Sequence, residues 1–131
     1  AFQADYERIS NCLTAATGIK PLYYRFPGGS TEVTEKLQMT DLDAYFNAQG
    51  ASYFDWNVIA ANNTTDDVSV NKMVDSVMNG VALYDTSIVL MYDSVDRKMT
   101  AKSLDSILDY LLKNGYEILP IDENTIPIHH S

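Results

Sequence analysis

Arg25 closes an apolar run and is followed at once by Pro27, Gly28 and Gly29, in the stretch YYRFPGGST at residues 23 to 31. A guanidinium at a strand end needs a carboxylate or a fork of carbonyls, because a buried one left unpaired costs several kcal/mol or so. Two readings stay open: an ordinary ion pair at the rim of the fold, or a grip on a catalytic carboxylate. In Pro27-Gly28-Gly29 two residues without side chains let the backbone approach a ligand, and their N–H groups could serve an oxyanion. A plain turn is the other reading. The lysine and flanking helix signal of a phosphate-binding loop are missing.

Asp55 and Trp56 form a second candidate pair, with the single tryptophan of the chain beside a carboxylate that interrupts an apolar strand. A buried aspartate must have partners. Arg25 on a neighbouring strand is one, and a catalytic base that Asp55 orients is another. Trp56 would then wall a pocket for a sugar face or an acyl group, against the alternative of a core tryptophan beside a structural carboxylate. The stretch MYDS puts Tyr92 and Asp93 at a further strand end.

The other candidates point elsewhere. His129 and His130, the only histidines, follow Pro127 in the tail. Adjacent side chains diverge, so a solvent-facing tail is expected there in place of a metal pair. Cys12 is the single cysteine, which excludes an internal disulfide and a thiolate zinc site and reads as a small buried hydrophobe. Asn62 to Thr65 match a glycosylation sequon that marks a loop, and Asp66 and Asp67 suit the start of a helix.

These side chains need a scaffold, and the composition allows one. The chain has 131 residues, 46% hydrophobic and 21% charged, which is one domain with enough apolar matter for a core. Nine basic residues against eighteen acidic ones give a net charge of −9, with no basic stripe to follow a phosphate backbone, so nucleic acid is excluded as the expected partner. No apolar run approaches the ~20 residues that a membrane span needs, and the first ten residues lack the form of a signal peptide.

Four stretches have helical periodicity. Val70, Met73, Val74, Val77 and Met78 share one face, with Ser69 as the cap and Gly80 as the stop. Leu104, Ile107, Leu108, Leu111 and Leu112 repeat the pattern, with Thr100 or Ser103 as caps and Asn114-Gly115 as the end. Further helices are predicted from Asp5 to Ala16, closing at Gly18, and from Asp41 to Gln49. Strands are predicted at Leu22–Phe26, Tyr53–Val58, Ser87–Tyr92 and Tyr116–Leu119. The alternating order implies an α/β fold of about four units with parallel strands. The long connections run from strand to helix, which puts Arg25, Asp55 and Tyr92 at the carboxyl ends of strands, where such folds hold their ligands.

Taken in order, YYRFPGGS, SYFDWNV, SIVLMYDS and the ending NGYEILPIDENTIPIHH resemble the polysaccharide deacetylases, the family with the NodB homology domain. The resemblance runs over essentially the whole chain, residues 1–131. It implies a (β/α) barrel of NodB type, present here as its carboxyl-terminal half. It also implies a metal-dependent removal of acetyl groups from N-acetylglucosamine units of peptidoglycan or chitin-like glycans, outside the cytoplasm or at the cell wall. Carried over, Arg25 would hold the catalytic aspartate, and the backbone beyond Pro27, near Gly28, would help a divalent metal such as zinc stabilise the oxyanion. Asp55 would tune the catalytic histidine, while Trp56 and Leu90 would pack around the acetyl methyl.

Two departures qualify this. The family's catalytic aspartate and Asp-His-His metal ligands precede the arginine segment, but only 24 residues precede Arg25 and none is histidine. The family's histidine position carries Tyr92, whose phenol, near ~10, is a poor proton shuttle beside an imidazole near ~6.5. The chain alone is therefore expected to hold no cofactor and to be inactive, with a glycan-binding pseudoenzyme as the alternative. A half barrel also leaves sheet edges and an inner apolar face uncovered. Cover is expected from the missing amino-terminal half or from self-association.

Overall fold

The computed structural model describes residues 2–33, 38–61 and 68–130. The sequon at 62 to 65 and the acidic pair Asp66-Asp67 lie outside them. The order is α1 (Phe2–Thr17), β1 (Tyr23–Tyr24), a short 3-10 turn (Ser30–Glu32), α2 (Met39–Ala48), β2 (Ser52–Tyr53), β3 (Val58–Ile59), α3 (Val70–Val81), β4 (Val89–Leu90) and α4 (Lys98–Lys113). Helices thus alternate with strands that pair in parallel. Among the described residues no helix is long and apolar enough to cross a membrane.

The chain divides into two compact units, residues 1–55 with 129–131, and residues 56–128. In the first, β1 and β2 pair in parallel with Tyr23 opposite Ser52 and Tyr24 opposite Tyr53. The ladder continues through Ser52 N–H to Leu22 O and Phe54 N–H to Tyr24 O, both at 2.8 Å. Its core is aromatic: Tyr6, Phe26, Phe46 and Tyr53 are buried with Leu42 and Ala51. Rings at right angles recur, as between Tyr6 and Phe46 at 5.3 Å between centroids, the arrangement that the ring quadrupole favours.

α1 turns Tyr6 and Ser10 inward, one helical turn apart. Cys12, two residues beyond Ser10, therefore falls on the opposite side, and it is exposed rather than buried. Ile9 and Leu13 are also largely exposed. Gly18 (φ 75°) follows the helix end as expected, its N–H donating back to Thr14 O.

In the second unit β3 and β4 pair in parallel, Val58 opposite Val89 and Ile59 opposite Leu90. Asn57 locks this pair from its side chain, donating through Nδ2 to Thr86 O at 3.0 Å and accepting from Ile88 N–H at 2.8 Å. Val58, Ala60, Met73, Val77, Val81 and Ile107 are at the centre of the core. Ser69 caps α3 as the sequence predicts, accepting from Lys72 N–H.

Several expectations fail here for identifiable reasons. Gly80 does not stop α3, which runs on to Val81. It lies against β3, where a Cβ would stand 2.6 Å from Val58 Cγ1. Ser103 does not cap α4, which starts at Lys98. It is fully buried inside the helix, donating to Thr100 O at 2.8 Å and resting 3.3 Å from Met73 Sδ. That turns Ser103 and Ile107 inward and leaves Leu104 and Leu112 on the outer side. Asn114-Gly115 ends the helix as expected, Gly115 at φ 80°.

The predicted strand from Tyr53 to Val58 is two short strands, β2 and β3, in different pairs. The segment Tyr116–Leu119 is not a strand. Tyr116 packs on the core, while Ile118 and Leu119 are exposed.

Candidate functional site

The turn after β1 is built by its sequence. Pro27 has the fixed φ that suits the second position of a tight turn, and Gly28 supplies the positive φ (79°) of the third. Gly29 N–H closes it on Phe26 O at 2.9 Å. Gly29 also adopts a positive φ (93°), and this delivers Ser30 inward, where it is 1% exposed.

Ser30 meets Asp55 there. Asp55, also 1% exposed, accepts from Ser30 N–H at 2.8 Å through Oδ1 and from the Ser30 hydroxyl at 2.5 Å through Oδ2. A third donor, the backbone N–H of His130, reaches Oδ2 at 2.6 Å. Burial pushes the carboxyl up, but the Ser30 hydroxyl, the two N–H groups and the nearby His130 outweigh it and hold Asp55 below its usual value. The buried carboxylate is therefore an ionised acceptor with its geometry fixed from three sides.

Arg25 is not among its partners. The arginine is exposed, and its Nη1 donates to Phe26 O at 3.3 Å. Among the described residues no carboxylate lies within ion-pair distance of it, and the single ion pair is Arg8 with Asp5. Arg25 faces solvent and does not pair with Asp55, its candidate partner on the neighbouring strand.

Pro27 and Gly28 are exposed at the turn. Gly28 does not face open space on its Cβ side, where a methyl would come 2.7 Å from Glu32 Cγ. The glycine thus serves both the positive φ and the close passage of the Glu32 stem.

The tail histidines are exposed, as the sequence predicts, but the tail also makes contacts that the sequence does not announce. His129 stacks on the Tyr53 ring, centroids 4.0 Å apart and planes 10° from parallel, with Nε2 3.1 Å from Tyr53 O. His130 supplies its N–H to Asp55. The solvent-facing tail is thus also tied to the first unit across 76 and 75 residues of sequence. Ser30 and this tail are what sequence reasoning missed. A buried serine after two glycines has a weak local signal, and a contact from the far end of the chain has none.

In the second unit, Val89 and Met91 pack against the core, so the two-residue alternation of an extended chain sends Leu90 to the opposite face. Trp56 and Tyr92 are half-buried. The Arg97 guanidinium stands over the Tyr92 ring, 5.0 Å from its centroid, a cation on the electron-rich face.

No three His, Cys, Asp or Glu side chains converge on a position that would hold a metal ion, among the described residues. Asp55 already accepts from three N–H and O–H donors. The donor set described here does not fit a divalent metal.

The architecture resembles that of solved deacetylase catalytic domains. The chain superposes over its full length on the catalytic domain of a peptidoglycan N-acetylglucosamine deacetylase from Eubacterium rectale, with a TM-score of 0.86 and 29% identity. A CE4 esterase from Streptococcus mutans matches 85% of the chain at a TM-score of 0.71 and 25% identity. A polysaccharide deacetylase from Bacillus cereus shares the fold over 95% of the chain at a TM-score of 0.71 and 19% identity. The chain spans 62%, 49% and 59% of the lengths of these structures. No family model matches the sequence, and no curated protein does.

Proposed function

We propose that this chain is the carboxyl-terminal part of a polysaccharide deacetylase domain, a partial (β/α) barrel of NodB type that faces an N-acetylated glycan of the peptidoglycan or chitin class. The observation that carries the reading is the Asp55–Ser30 junction. It ties the RFPGGS segment to Asp55 within one unit, in a chain similar to a peptidoglycan deacetylase at 29% identity. A cell-wall substrate puts the site of action outside the cytoplasm.

In this reading Pro27 shapes the turn and the backbone N–H of Gly28 faces the acetyl oxygen. Arg25 holds a carboxylate brought by a segment outside this chain, and Trp56 and Leu90 enclose the acetyl methyl. By sequence position Asp55 corresponds to the carboxylate that orients the family's proton-transfer residue, and Tyr92 to that residue. The metal ligands and the catalytic base come from the same outside segment, and either that segment or a second copy of the chain covers the open sheet edges. Alone, the chain binds glycan without hydrolysing it.

The substitution of tyrosine for histidine at position 92 favours a second reading, a non-catalytic glycan-binding pseudoenzyme. Both readings share one test. N-acetylglucosamine oligomers are titrated while Trp56, the single tryptophan, reports by fluorescence and released acetate is assayed in parallel. Saturable quenching without acetate supports the proposal, and absence of quenching refutes a glycan site. Adding the amino-terminal half of a homologous deacetylase separates the readings: acetate then appears only if the chain belongs to an active enzyme. Light scattering over a dilution series checks self-association, and a strict monomer overturns cover by a second copy.

A further inference from the structure

Three donors fix Asp55, and one of them comes from the end of the chain. The tail lies along residues 53 to 55 with two points of attachment. His129 is seated on Tyr53 by ring stacking at 4.0 Å and by Nε2 at 3.1 Å from the carbonyl. His130 then presents its backbone N–H to Asp55 Oδ2 at 2.6 Å. Tyr53 is itself buried and held in β2 opposite Tyr24, so the seat is rigid. Without the tail, Oδ2 would keep only the Ser30 hydroxyl, whose rotor fixes direction less firmly than a peptide N–H does.

We propose that His129 and His130 are positioning residues for Asp55, His129 by seating the tail on Tyr53 and His130 through its main-chain N–H rather than its imidazole. The role rests on the reading of Asp55 as the carboxylate that orients the site's proton-carrying group. It explains why a terminal segment remote in sequence folds into the unit that contains Asp55 and not with the residues just before it.

Among the described residues, the groups facing Asp55 that titrate or carry charge are His130 and Tyr53. The test follows the Asp55 carboxyl carbon by NMR through an acid titration of the full chain, in wild type and four variants. His130→Pro removes the N–H, and the Asp55 midpoint should rise. His130→Ala keeps the N–H and should leave most of the depression in place. His129→Ala unseats the tail and should raise the midpoint, whereas His129→Phe retains the stack and should restore it toward wild type. Thermal unfolding of each variant confirms that the core is retained, which the exposure of both histidines favours. An unchanged midpoint in His130→Pro overturns the proposal, and so does an equal rise in His130→Ala, which would assign the effect to the ring. Because the readout is Asp55 itself, loss of glycan binding in the wild type would sink the deacetylase reading and leave this result intact.

Discussion

Asp55 and Ser30 form a closed two-bond unit, with the serine N–H on one carboxylate oxygen at 2.8 Å and its hydroxyl on the other at 2.5 Å. Both residues are 1% exposed, and hydrogen bonds to a charged group contribute about 1.5 to 3 kcal/mol. Ser30→Ala should therefore destabilise the chain by roughly 1 to 2 kcal/mol, because one N–H is kept. Asp55→Ala should cost more, roughly 2 to 4 kcal/mol, because it removes the charged acceptor of three hydrogen bonds at once. Urea denaturation ranks them, and the reverse order would mean that the carboxylate is not the centre of the unit.

The same carboxyl sets an acid limit. Its folded value lies below the ordinary one, despite the opposing effect of burial, because Ser30 and His130 stabilise the charge. Folding then gains from Asp55 in full above the unfolded value near ~3.9 and loses that gain as the pH falls through the lower folded value. The stability difference between wild type and Asp55→Asn should be flat near neutrality and shrink below about pH 4. A difference that widens on acidification would show a raised carboxyl instead.

Tyr53 sets the alkaline counterpart. Burial first, then a hydrogen bond and repulsion from Asp43 and the charge of Asp55, push its phenol up to about 12. A raised folded value means that the contribution is full below the unfolded value near ~10 and is lost as the pH climbs toward the folded one. Compared with wild type, Tyr53→Phe should show a shallower fall in stability between about pH 10 and pH 12. Equal slopes would place the phenol in free contact with water.

Helices were legible because a 3.6-residue period is a local property. Val70, Met73, Val74 and Val77 announce α3, and Ser69 its start. Strand positions were legible as runs of β-branched and aromatic residues, but not their lengths, since pairing is decided by the neighbour. The break between Tyr53 and Val58 falls at Asp55-Trp56-Asn57, where the carboxylate reads as a site residue within one strand and not as the end of that strand. In the candidate site, the turn at Pro27-Gly28 and the burial of Asp55 could be read from residue type. The partners of Asp55 could not, because arginine is the obvious mate for a carboxylate while peptide N–H groups are present at every position. Cys12 and Leu104 show the remaining limit: which side of an amphipathic helix faces inward depends on the register of one buried serine, Ser10 or Ser103.

Arg25 provides a direct check on that obvious mate. It is exposed and bonded only to its neighbour's carbonyl, so Arg25→Ala should change stability by no more than about 0.5 kcal/mol, the usual range for a surface site. Arg25→Met should match it. A loss of several kcal/mol in Arg25→Ala, recovered when Asp55 is changed as well, would reveal the ion pair that the structure lacks.

Gly80 and Val58 carry the last test, on the framework that holds β3. Glycine within a helix is about 1 kcal/mol less favourable than alanine, so at an open helical position Gly80→Ala would stabilise the chain. Here the added Cβ would meet Val58 Cγ1 at 2.6 Å and Cγ2 at 3.1 Å, closer than carbon atoms approach. Val58 cannot swing away, since it is 3% exposed and fixed opposite Val89. Overpacking of this kind costs about 1 to 3 kcal/mol, so the net effect should be a loss of roughly 1 kcal/mol despite the better helix former. Val58→Ala alone should also destabilise, by removing buried methyl groups. The two changes together should be less damaging than their sum, because the alanine methyl at 80 fills the space vacated at 58. Strict additivity in the double-mutant cycle would mean that α3 and β3 do not touch at this point.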